Sequence, residues 1–220
     1  MSIKSVIFDM DGVIIDSEPE HLKVNEKMLG EFHINVSEEE KVKFVGTTTR
    51  EIWKMLKQKY EIPYSLDELV NMDRDIYLDG LRSKDSIKPI EGVDKLIIKL
   101  NEKKLKVGVA SSSSLNIINI TISSLGLDKY FGYLTGGDEV ENSKPAPDIF
   151  LKAAKRMKSS PEECIVIEDS KNGVCAAKSA GMYCVGFKNP HSGNQDISKA
   201  DIIIEKFNSL YPILEEKFNF

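Results

Sequence analysis

Ser5-Val6-Ile7-Phe8-Asp9-Met10-Asp11-Gly12-Val13 is the stretch on which the fold turns: an apolar run of strand length that ends on two carboxylates and a glycine. The run is nearly continuous rather than alternating, as expected of a strand covered on both faces. Similar runs recur at Val107–Ala110, Cys164–Ile167, Tyr183–Phe187 and Ile202–Ile204, with a weaker one at Tyr133–Thr135. Helical patterns lie between most of them: Val93, Leu96, Ile97 and Leu100 share one face, as do Ile149, Ala153 and Met157. Strand and helix alternating in this way predict an α/β fold, a doubly wound parallel sheet with helices on both sides.

Residues 16–86 break the rhythm. They carry successive helical patterns and no convincing strand, so the chain is expected to divide into a core of residues 1–15 and 87–220 and an inserted helical domain of residues 16–86. Ser37 with Glu40, and Ser65 with Glu68, have capping-box spacing. Ile52, Leu56 and Tyr60 form an apolar stripe after Thr47-Thr48-Thr49, and Trp53 and Met55 beside them are expected to pack. Lys88-Pro89-Ile90-Glu91-Gly92 is a turn-like return to the core. Ligands of open α/β sheets bind beyond the carboxyl ends of the strands, so an insertion directly after the first strand is expected to act as a lid over the site.

With 220 residues, 41% hydrophobic and 30% charged, the chain can bury a sizeable core and has the composition of a soluble globular protein. Its formal net charge of -5 argues against a nucleic-acid backbone as partner and leaves small phosphorylated ligands open, since those need only local charge. Cys164, Cys175 and Cys184 form no CxxC pair and are read as small core residues. The apolar run before Asp9 is too short for a signal peptide and no later run reaches membrane-spanning length, so the expectation is a cytoplasmic protein with no membrane partner.

Asp9 and Asp11, at i and i+2 where a buried strand emerges, point to one side if the chain stays extended, and Gly12 lets it turn at once. Two acids buried this close need a cation or a shared proton. The other strand ends bring complementary groups. Val107–Ala110 runs into Ser111-Ser112-Ser113-Ser114, whose hydroxyls and N–H groups suit phosphoryl oxygens, with Ser111 best placed and Ser112 beside it. Ser143-Lys144-Pro145 holds a Lys able to screen a carboxylate and a transferring phosphate together. Cys164–Ile167 ends in Glu168-Asp169-Ser170, acids suited to hard oxygen ligation of Mg²⁺. In such a set Asp9 can attack phosphorus, while Asp11 protonates the departing alcohol and then deprotonates the next nucleophile.

Asp9-Met10-Asp11-Gly12, Ser111, Lys144 within Ser-Lys-Pro-Ala-Pro-Asp, and Glu168-Asp169-Ser170-Lys171-Asn172-Gly173 resemble, in order and spacing, the four motifs of the haloacid dehalogenase superfamily. The resemblance spans essentially the whole chain and is to members with a helical cap, the β-phosphoglucomutase-like phosphatases. It implies a Rossmann-like core, Mg²⁺ as cofactor and a monomer acting on a small phosphorylated metabolite. Asp9 would be nucleophile and metal ligand, Asp11 the acid/base that also gives a backbone carbonyl to the metal, and Asp169 a ligand supported by Glu168. His21, after Asp16-Ser17-Glu18-Pro19-Glu20, and Arg50, after Gly46-Thr47-Thr48-Thr49, match cap positions that such members use for substrate, with Thr47 offering a hydroxyl nearby.

Two activities stay open on this reading. A phosphatase acting on a sugar phosphate passes the phosphoryl group to water, whereas a β-phosphoglucomutase returns it to a sugar hydroxyl. Arg50 and His21 favour the mutase, whereas Ser114 stands where the mutase pattern leads one to expect a Lys and Thr49 replaces a Ser before Arg50; these departures are small, and hydrolysis is the expected activity. A dehalogenase has no need of Asp11. A receiver-like phosphoacceptor module has no use for the helical insertion.

Overall fold

A computed structural model describes residues 2–44, 47–82 and 87–219. Six strands, β1 (Ser5–Phe8), β2 (Lys106–Ser111), β3 (Tyr133–Gly136), β4 (Cys164–Glu168), β5 (Tyr183–Phe187) and β6 (Ile202–Ile204), form one sheet in the order β3-β2-β1-β4-β5-β6. Every pairing is parallel. Helices α1 (Glu18–Glu31), α2 (Glu38–Lys41), α3 (Thr49–Tyr60) and α4 (Leu66–Arg82) precede α5 (Val93–Glu102), α6 (Leu115–Ser124), α7 (Asp148–Arg156), α8 (Lys171–Ser179) and α9 (Leu210–Phe218). None of the helices among the described residues is long and apolar enough to cross a membrane.

The chain divides into two compact units, Met1–Asp16 with Ile87–Phe220, and Ser17–Ser86. In the first, alternate residues of the central strands go to opposite layers. Val6 and Phe8 pack with Val107, Val109, Ile165 and Ile167 against α5, α6 and α9, while Ile7, Ala110 and Val166 pack against α7 and α8. Two covered faces are why β1 is apolar throughout, and each fully buried Val, Ile or Phe contributes about 1.5–3 kcal/mol. Cys164 and Cys184 are buried free thiols of this core, and burial lifts the Cys164 thiol to about 11.

The regular elements among the second unit's described residues are all helices. Ser65 N donates to Glu68 Oε2 at 2.7 Å and Glu68 N to Ser65 Oγ at 3.2 Å, closing the expected box at the start of α4. Thr48 caps α3 by accepting from Glu51 N. Ile52, Trp53 and Leu56 are the buried stripe of α3, but Met55 is 44% exposed. At 100° per residue Met55 lies about 105° from the centre of that stripe, so it flanks the face instead of joining it.

Candidate active site

The carboxyl edge of the sheet collects the chemistry. Asp9 follows β1 directly and stays in register with β4, its N–H donating to Ile167 O at 3.0 Å. The chain then closes a tight loop in which the N–H groups of Val13, Ile14 and Ile15 all point at Met10 O and Gly12 N donates to Ile15 O. Gly12 sits at φ +77°, and a Cβ there would lie 2.0 Å from Asp169 Oδ2. Only glycine satisfies both the turn and the approach of the β1 loop to the β4 end.

Glu168 ends β4 and Asp169 follows it, just before Ser170 caps α8 by accepting from Gly173 N. Lys144 Nζ donates to Asp9 Oδ1 at 2.8 Å and to Glu168 Oε1 at 2.7 Å. The other oxygen of Glu168, Oε2, accepts from Ser170 N at 2.8 Å and Ser170 Oγ at 2.9 Å. Glu168 is therefore satisfied by protein donors at both oxygens, and it holds Lys144 against Asp9.

Burial pushes the Asp9 carboxyl well above its ordinary range; Lys144 pulls it back, and Glu168, Asp169 and Asp11 add to the rise. Burial likewise lifts Asp169 to about 7, with Glu168 adding and the Ser192 hydroxyl and Lys144 opposing. For Lys144 burial works against the charge, but Asp9 and Glu168 outweigh it and hold the ammonium above its usual range. A carboxyl driven toward neutrality and a partner held charged are consistent, because one buried cation faces several acids. The cation is over-satisfied and the acids are under-satisfied.

Asp9, Glu168 and Asp169 can each direct one oxygen so that all three lie within 4.8 Å of one another. Buried, oxygen-only and short of positive charge, this cluster fits a hard divalent cation such as Mg²⁺. The Asp11 side chain is not part of that trio. Its Oδ2 accepts from Ser113 Oγ at 3.0 Å and Ser111 Oγ at 3.3 Å. The serine loop is itself held by the 3-10 turn after β3, since Gly137 N donates to Ser113 O and Asp138 Oδ1 accepts from Leu115 N, both at 2.9 Å. Ser112 is exposed on this loop.

Asn189 and Ser192 belong to the same neighbourhood and were not expected from the sequence. Both are buried, Asn189 Nδ2 donating to Gly12 O at 3.0 Å and Ser192 Oγ donating to Asp169 Oδ2. His191, between them, pairs with Asp16. They sit on the loop after β5, the strand beside β4, and the signal that marks them is position alone: the carboxyl end of a central parallel strand.

The expected substrate residues His21, Arg50 and Thr47 belong to the helical unit. His21 stacks on Tyr77 with ring centroids 4.3 Å apart, near the buried Asp73, which accepts from Trp53 Nε1 at 2.8 Å. Arg50 pairs with Asp67 at 2.8 Å on an exposed surface, and Thr47 Oγ1 donates to Lys43 O. Gly46 lies outside the described residues.

The model of the haloacid dehalogenase-like hydrolase family matches residues 6–187. A bifunctional riboflavin kinase/FMN phosphatase of Arabidopsis thaliana is 35% identical over 97% of the chain, which spans 55% of that relative's length. A phosphorylated carbohydrates phosphatase of Thermotoga maritima is 33% identical over 82% of each protein. Among solved structures, the β-phosphoglucomutase of Clostridium difficile superposes with a TM-score of 0.78 at 27% identity, over 99% of this chain and 97% of the other.

Proposed function

The chain belongs to the haloacid dehalogenase-like hydrolases, and from that premise we propose that it is a Mg²⁺-dependent phosphatase of a small phosphomonoester, a sugar phosphate by class. The observation that carries the reading is the Lys144 bridge between Asp9 and Glu168 beside Asp169, a buried site with more acid than base at the carboxyl edge of the sheet. The likeness to the Thermotoga phosphorylated carbohydrates phosphatase supports the substrate class.

In this reading an Asp9 carboxylate oxygen attacks phosphorus, the bond from phosphorus to the alcohol oxygen breaks, and Asp11 gives that oxygen a proton. A water then loses a proton to Asp11 and attacks phosphorus, the bond to Asp9 breaks, and inorganic phosphate leaves with both aspartates restored. Lys144 screens Asp9 from the incoming phosphoryl oxygens, and Ser111 with Ser112 and the loop N–H groups bind those oxygens. Asp9, Asp169 and the Asp11 backbone carbonyl would hold Mg²⁺, and Glu168, engaged at both oxygens, acts through Lys144. When bound, Mg²⁺ neutralises charge on the acids and on the phosphoryl group. Recognition of the alcohol portion is assigned to the helical unit, with His21, Thr47 and Arg50 as its candidates.

The mutase alternative, favoured by the likeness to the Clostridium structure, keeps every step except the second nucleophile. Product analysis with Mg²⁺ over a panel of phosphate esters, including β-glucose 1-phosphate with a trace of glucose 1,6-bisphosphate, separates the two. Free phosphate in proportion to ester consumed is the expected result; glucose 6-phosphate without matching phosphate would make the enzyme a mutase. Asp9→Asn is expected to lower kcat by at least about 10³-fold, the scale on which loss of a nucleophile acts, while leaving the circular-dichroism spectrum unchanged. Near-wild-type turnover by that variant would overturn the covalent mechanism.

A further inference from the structure

Asp11 is held asymmetrically. Two hydroxyls, Ser113 Oγ at 3.0 Å and Ser111 Oγ at 3.3 Å, converge on its Oδ2, whereas its Oδ1 is buried without a hydrogen-bond partner among the described residues. Ser113 N also donates to Ser111 Oγ at 3.0 Å, which occupies a lone pair of that hydroxyl and leaves its proton free to point at Asp11. Ser113 is fixed in turn through its carbonyl, which accepts from Gly137 N at 2.9 Å. Gly137 comes so close that a Cβ there would lie 2.2 Å from Ser112 O.

From this geometry we infer that Ser113 is a positioning residue for the acid/base of the reaction: it anchors Asp11 by Oδ2 and so fixes the orientation in which that carboxyl meets the departing alcohol oxygen. The inference rests on the phosphatase reading above, with Asp11 as the acid. As the bond from phosphorus to the alcohol oxygen breaks, its electron pair stays on that oxygen, the O–H bond of the Asp11 carboxyl breaks and the proton completes the alcohol, while the new bond to phosphorus is made by Asp9. Ser111 can turn its hydroxyl to a phosphoryl oxygen when substrate binds; Ser113 then remains as the anchor. A carboxyl free to rotate delivers its proton less often in the productive direction.

The test uses the leaving group. An alkyl phosphate such as glycerol 3-phosphate needs its leaving oxygen protonated, whereas the p-nitrophenolate of p-nitrophenyl phosphate departs without help. The quantity to compare is kcat/KM, which covers the steps up to formation of the Asp9 phosphoryl bond. Ser113→Ala is expected to lower kcat/KM for the alkyl ester about ten-fold more than for the aryl ester, a fraction of the roughly 10²–10⁴-fold that general acid catalysis supplies. Ser113→Thr, which keeps the hydroxyl, is expected to restore the ratio, and Ser113→Gly, which lacks it, carries the same test if the alanine variant fails to fold. Equal losses on the two esters, or no loss, would overturn the inference and leave the phosphatase reading standing. Failure of the wild-type enzyme to hydrolyse either ester in an Asp9-dependent way would overturn both.

Discussion

A single missing side chain governs how Glu168 is seated. Gly173 lies in the first turn of α8, and a Cβ there would fall 1.7 Å from Glu168 Oε1 and 1.9 Å from Glu168 Cδ. That carboxylate is buried, capped by Ser170 and bonded to Lys144, so it has no direction in which to retreat. Gly173→Ala is expected to cost about 3 kcal/mol, the scale of overpacking or of breaking a buried ion pair, and to lower kcat/KM sharply by displacing Lys144 from Asp9. Gly126→Ala is the control. Its φ of +67° strains an alanine, but nothing lies within 4 Å of the added carbon, so the cost is about 1 kcal/mol with activity retained. Thermal melts and kinetics of the two variants decide the point, and equal behaviour would mean that Glu168 can shift without consequence. The acids and Ser111 were legible in the sequence as candidates because each ends or follows an apolar run, and Lys144 only by its place among them. Ser113, Asn189 and Ser192 were not, because their contacts to Asp11, Gly12 and Asp169 exist only once distant segments of the chain are brought together.

Among the elements, β3 is one of the two edge strands, and besides its pairing with β2 it is held by a charged clamp. Glu139, in the 3-10 turn after β3, accepts from Arg156 of α7 at 3.0 and 2.7 Å and from Gly136 N at 3.0 Å. Arg156 also reaches Leu134 O, so helix, strand and turn are tied at one point. This matters to the site because Gly137, in the same turn, holds Ser113. The Arg156 guanidinium first, and the Gly136 N–H second, lower the Glu139 carboxyl from 4.5 to about 2. A depressed folded-state value means the clamp's contribution is complete above about pH 4.5 and fades as the pH falls toward about 2. Glu139→Gln is therefore expected to be less stable than wild type by about 1 kcal/mol at pH 7, with the gap closing as the pH falls toward 2. A gap independent of pH in parallel urea melts would assign the effect to packing instead. The elements themselves were readable where the apolar runs are unbroken: β1, β5 and β6 have the bounds those runs imply, although β6 lies at the sheet edge with Ile203 49% exposed. Met55 was misread because a stripe two or three residues wide leaves its flanks undetermined by spacing alone.

At the scale of the whole molecule, the alternation of strand and helix and its interruption by a helical segment were both visible in the sequence, and the parallel sheet gathers the candidate site residues at the carboxyl ends of its strands. The sequence could not show the energetic consequence of that convergence. Folding drives Asp9, Glu168 and Asp169 into the interior with only Lys144 to offset them, and the elevated carboxyls of Asp9 and Asp169 are the sign of a core that folds against its own charge. A cation that binds only the folded cluster then stabilises the unit containing it, by about 2.7 kcal/mol at a concentration 100-fold above its Kd. For a protein of this size each kcal/mol raises the melting temperature by about 2–4 °C, so Mg²⁺ added to chelator-treated protein is expected to raise Tm by about 5–10 °C. In Asp169→Asn one buried charge is gone, so the metal-free protein should melt higher than metal-free wild type, and Mg²⁺ should add little. The two changes have opposite signs, which separates a metal site from a merely acidic core. A wild-type Tm indifferent to Mg²⁺, or an Asp169→Asn variant that gains as much from it as wild type does, would remove the metal from the mechanism.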